Sequence, residues 1–104
     1  MMKEKPYIKL GAVFLIAVTS LLAGDKPTRI ACVGDSITFG SGVKDRANNS
    51  YPVQLQRMLG EDYEVKNFGV SGATMLKKGN KPYWRLKQFQ AAQDFQPDIV
   101  IIKL

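Results

Sequence analysis

Apolar residues along this chain fall into two periodicities. Residues 28–33 form a short, mostly apolar run with β-branched side chains, ended by Gly34, which predicts a buried strand. Residues 64–68 repeat that pattern ahead of Gly69, and residues 98–102 (Asp-Ile-Val-Ile-Ile) give its most hydrophobic version. Between the first two runs, Tyr51, Leu55, Met58 and Leu59 recur at helical spacing. Pro52 suits a first helical turn, Ser50 or Tyr51 its cap, and Gly60 its stop. Leu86, Phe89 and Ala92 predict a second helix over residues 83–95, with Pro97 beyond it. Gly40, Gly42, Asn48 and Asn49 mark the segment after the first strand as loop.

Strand, helix, strand, helix, strand is the opening of a parallel α/β sheet. Continuous apolar strands such as residues 99–102 need cover on both faces, which three strands and two helices do not readily supply. The sequence stops at Leu104, the end of its most hydrophobic strand. The expectation is that residues 25–104 form the N-terminal portion of a longer domain. A complete miniature protein that hides this face by oligomerising is the alternative.

The first residues follow a different pattern. Lys3, Lys5 and Lys9 precede an uncharged apolar stretch, residues 10–23, and then Gly24 and Asp25. A basic start and a short apolar middle describe a secretory signal peptide over residues 1–24. The stretch is shorter than the roughly 20 residues of a spanning helix. Export to the periplasm or medium is therefore expected, with an uncleaved N-terminal anchor as the alternative. No clean cleavage site stands out. Three of the 15 basic and one of the nine acidic residues lie in this segment, so the formal charge of +6 becomes +4 without it. The remaining surplus is scattered apart from Lys77, Lys78 and Lys81, which read as a solvated loop. No aromatic residues interleave with them as a nucleic-acid surface requires. Cys32 has no partner for a disulfide and reads as a small core residue.

The candidate chemistry sits at strand ends. Gly34 permits a tight departure from the first strand, and Asp35 and Ser36 follow at the C-terminal edge, where open α/β sheets keep their active sites. A nucleophilic serine or a helix cap both fit this turn. Asn67, Gly69, Ser71 and Gly72 mark a second glycine turn after the next strand, whose freed amides could hold an oxyanion or simply link strand to helix. Tyr83 and Trp84 could stack on a sugar ring or pack inside the protein. Glycine spacing excludes a phosphate-binding loop and a dinucleotide fingerprint, and no Cys/His cluster exists for zinc. The chain contains no histidine, the usual base for a serine nucleophile.

Gly34-Asp35-Ser36-Ile37-Thr38 after a strand, then Asn67 with Gly72 five residues on, then Pro97-Asp98 leading an apolar strand, resembles the GDSL or SGNH hydrolases over residues 28–104. The resemblance implies a three-layer α/β/α, flavodoxin-like sheet, incomplete in this chain. It implies Ser36 as nucleophile and as an oxyanion amide, with Gly72 rather than Gly69 as the second amide. Asp35 would shape the turn, and Gly34, Asn67 and Gly69 would support it. The family's asparagine donor, aspartate and histidine would fall beyond Leu104, so the isolated chain is expected to be inactive. The implied reaction needs no metal or cofactor, and the implied partner is a small-molecule or glycan ester, with no nucleic acid and no stable membrane partner. Carbohydrate O-acetylesterases, including sialate O-acetylesterases, look nearest, with lysophospholipase-type esterases as competitor. A non-catalytic glycan-binding module is the reading from another class.

Overall fold

The computed structural model describes residues 25–104; the segment read as an export signal lies outside them. Its elements are β1 (Thr28–Gly34), α1 (Ser36–Phe39), α2 (Arg46–Asn49), α3 (Tyr51–Leu59), β2 (Tyr63–Gly69), a 3-10 turn (Tyr83–Arg85), α4 (Lys87–Asp94) and β3 (Ile99–Lys103). The three strands are parallel in the order β2-β1-β3. Register aligns their C-terminal ends, with Gly34 paired to Gly69 on one side and to Lys103 on the other. The parallel α/β fold expected from the sequence is present.

Side chains of β1 alternate between two faces. Ala31 and Val33 join Ala73, Tyr83, Ala92 and Phe95 in the apolar core, flanked by Phe68, Val70, Leu86 and Leu104. Phe68 and Phe95 meet at 5.7 Å between ring centroids, a favourable tilted aromatic separation. Cys32 faces the other side, beside Tyr51 of α3, and is fully buried as expected. Burial pushes its thiol pKa up, and the hydrogen bond with Tyr51 only partly opposes this.

β2 is an edge strand, and α3 guards it. The Gln56 side chain accepts from the Val65 amide at 2.7 Å and donates to the Tyr63 carbonyl at 2.8 Å. Its amide thereby takes the place of a neighbouring strand's peptide. At the opposite edge the apolar residues of β3 are uncovered among the described residues, with Ile102 59% and Val100 49% exposed. No helix among the described residues is long and apolar enough to cross a membrane.

Three expectations need correction. The segment read as loop after β1 contains the four-residue helices α1 and α2, too short to show periodicity. The helix expected over residues 83–95 is divided at Leu86, whose extended backbone (ψ 151°) ends the 3-10 turn and caps α4. Tyr83 explains the break, because its amide donates to the Thr74 carbonyl and its hydroxyl to the Phe68 carbonyl. Both bonds hold the turn to its neighbours. Met58, expected on the apolar face of α3, is instead 77% exposed.

Candidate active site

Ser36 opens α1 directly beyond the sheet edge. Asp35 is the N-cap, its carboxylate accepting from the Ile37 amide at 3.0 Å, which satisfies one of the free donors of a helix start. The Asp35 amide donates to the Lys103 carbonyl at 3.0 Å, and the Lys103 ammonium lies 3.4 Å from the same carboxylate. The Ile37 amide holds the Asp35 carboxyl below its usual range; burial works against it, and Lys103 adds to the lowering. Asp35 therefore shapes the turn.

Two glycines let the pieces meet. A Cβ on Gly34 would lie 2.1 Å from Thr38 Oγ1 and 2.3 Å from the Lys103 carbonyl, and one on Gly69 would lie 2.3 Å from the Phe39 amide nitrogen. No side chain fits at either position, so α1 rests directly on the ends of β1 and β2. Asn67 completes the junction, donating to the Thr38 carbonyl at 2.8 Å and accepting from the Gly69 amide at 2.8 Å.

Beyond β2 the chain turns at Gly72, which has the left-handed φ of 82°. Here the second turn meets the first. Ser71 and Ser41 share a hydrogen bond of 2.5 Å between hydroxyls, and the Ser41 amide donates to the Ser36 carbonyl at 2.9 Å. Among the described residues, neither the Ser36 amide nor the Gly72 amide is engaged by an acceptor. Both amides are therefore free donors on turns linked through Ser41 and Ser71, and Ser36 itself is half-buried.

Tyr83 and Trp84 lie elsewhere. They line a mainly apolar cavity of about 420 Å³ with Val33, Ala92, Val100 and Ile102, and neither Ser36 nor Gly72 reaches its wall. Tyr83 is a packing residue, 4% exposed, with its hydroxyl given to Phe68 at 2.6 Å. Trp84 is half-exposed, with the Arg85 guanidinium 4.8 Å above its ring. Packing is what the structure gives Tyr83.

Sequence reasoning placed Ser71 in the second turn but missed its contacts, and it missed Thr38, Ser41 and Lys81 as parts of the site. Thr38 is fully buried, its hydroxyl 3.3 Å from that of Tyr51. Lys81 donates to the Ser71 carbonyl at 3.0 Å. The position of Thr38 inside the Gly34–Thr38 motif could have drawn notice; Ser41 and Lys81 depend on contacts between loops.

Fold and site together define a parallel α/β protein whose serine turn crowns the central strand, at the C-terminal edge where open α/β sheets bind their ligands. The GDSL-like lipase/acylhydrolase family model matches residues 32–104, and the chain belongs to that family. It is 54% identical over 76 residues to an acetylxylan esterase of Xylanibacter ruminicola, a match spanning 73% of this chain and 16% of that protein. No solved structure matches.

Proposed function

We propose that this chain carries the nucleophile and oxyanion amides of an esterase that removes acetyl groups from carbohydrate. The 54% identity to an acetylxylan esterase is the observation that carries the substrate class. In this reading Ser36 Oγ attacks the acyl carbon and gives its proton to a base, and the carbonyl oxygen takes the negative charge. The Ser36 and Gly72 amides receive that charge. Collapse expels the sugar oxygen and leaves an acetyl-serine, which water then releases. In this reading the base is a group that this histidine-free chain does not itself supply, and the expected result for the chain alone is no ester turnover. The basic start and apolar stretch support export of the protein, consistent with a glycan substrate outside the cell.

The missing histidine favours one other reading, a glycan-binding module without catalysis. A chimera separates the two. The matching segment of the Xylanibacter ruminicola esterase is replaced by that of this chain, and acetate release from acetylated xylan is measured. The enzyme reading expects activity near that of the parent, reduced on the order of a millionfold by Ser36→Ala, the cost of deleting a nucleophilic serine. A folded chimera without activity, or one indifferent to Ser36→Ala, would overturn it.

A further inference from the structure

Lys81 belongs to a basic cluster that its sequence setting suggested was merely solvated. Its ammonium donates to the Ser71 carbonyl at 3.0 Å, and a Cβ placed on Gly72 would sit 3.9 Å from the same nitrogen. That carbonyl and the Gly72 N–H are two ends of one peptide group. In a trans peptide they point opposite ways within a rigid plane, so a cation fixed at the oxygen end also fixes the direction of the N–H. It also draws electron density towards the oxygen and makes the N–H a stronger donor.

The lysine is itself held. The Thr74 amide donates to the Lys81 carbonyl at 3.0 Å, and the Tyr83 amide donates to the Thr74 carbonyl at 2.9 Å. These bonds close the base of the loop that bears it. On the other side of the peptide, the Ser71 hydroxyl meets Ser41, whose amide reaches Ser36. Hydrogen bonds through Ser71 and Ser41 therefore connect Lys81 to the turn that carries the serine.

We propose that Lys81 is a positioning residue for the oxyanion site, orienting and polarising the Ser71–Gly72 peptide so that its N–H faces the charge that develops on the substrate. This rests on Gly72 as an oxyanion amide. Lys81 acts through the peptide and touches no reacting atom.

Nuclear magnetic resonance on the full chain tests it. The carbonyl-correlated signal of the Gly72 amide reports the Ser71 carbonyl carbon. In Lys81→Met that carbon moves upfield, and in Lys81→Arg it returns. The second readout is hydroxide-catalysed exchange of the Gly72 amide proton, which passes through negative charge on this peptide. Lys81→Met slows it about fivefold, the effect of one unit charge about 4 Å away in water. A merely loosened loop would speed exchange instead. An unmoved Ser71 carbon, or exchange that is unchanged or faster while the rest of the spectrum persists, overturns the proposal. If the Met variant does not fold, Lys81→Gln decides on exchange alone, since it keeps a donor and loses the charge. No ester is used, so this proposal and the esterase reading fail separately.

Discussion

The Asn67 side chain bridges β2 and α1, donating to the Thr38 carbonyl across 29 positions of sequence while accepting from the Gly69 amide. One side chain thus ties the end of an edge strand to the helix that starts at Ser36. Asn67→Ala leaves a part-buried carbonyl and amide without partners, which costs about 1–3 kcal/mol for each unsatisfied group. The expected result is a urea midpoint lowered by a total of about 2 kcal/mol or more of stability. An unchanged midpoint would remove Asn67 from the junction.

Gly69 and Gly42 separate two reasons for glycine. A methyl group on Gly69 meets the backbone of Thr38 and Phe39 at 2.3–2.8 Å. Backbone yields poorly, so Gly69→Ala costs at least about 3 kcal/mol, the upper end for overpacked sites. Gly42 has a φ of 78° and open space around it, so Gly42→Ala costs only about 1 kcal/mol for the left-handed backbone. Thermal melts of the two variants give that order.

Asp35 carries a pH dependence. Its carboxyl titrates below the ordinary value of 3.8 because the Ile37 amide, and then Lys103, favour the charged form. A depressed acid contributes stability above its unfolded pKa and loses it as the pH falls through the folded one. The Ile37 amide resonance should therefore titrate with a midpoint below 3.8. Lys103→Met should raise that midpoint part of the way, because the larger Ile37 contribution remains. Asp35→Asn abolishes the transition.

Tyr83 gives the opposite dependence at high pH. Burial raises its phenol from 10.0 to about 12. The folded state holds the neutral form, so the stability is complete below pH 10 and is lost as the pH rises towards about 12. Alkaline unfolding followed by circular dichroism should be shallower in that window for Tyr83→Phe, which cannot ionise. The same variant loses about 1 kcal/mol at neutral pH with its bond to Phe68.

The strands were legible because their chemistry is local. Thr28–Gly34, Tyr63–Gly69 and Ile99–Lys103 lie within one residue at most boundaries of the runs bounded by glycine and proline. So was α3, whose Pro52 start and Gly60 stop are written in the chain. Ser36 and Gly72 were legible as turn residues, and the structure links their turns through Ser41 and Ser71. What escaped depends on partners distant in sequence. The local sequence leaves Tyr83 between ligand stacking and packing, and the hydrogen bond of its hydroxyl to the distant Phe68 carbonyl favours packing. Lys81 looked solvated because nothing local marks Ser71 as its acceptor. Thr38 is polar by composition and buried only because Tyr51, Asn67 and Gly69 converge on it.

The Gln56 amide on β2 also bears on strand addition at that edge. Filaments built by strand addition need two open edges per molecule, one to donate and one to receive. Val65 and Tyr63 already have their partner in Gln56, so a strand approaching β2 finds those two peptide groups taken. Removing the Gln56 amide would free a donor and an acceptor on β2 and make that edge a template for another strand.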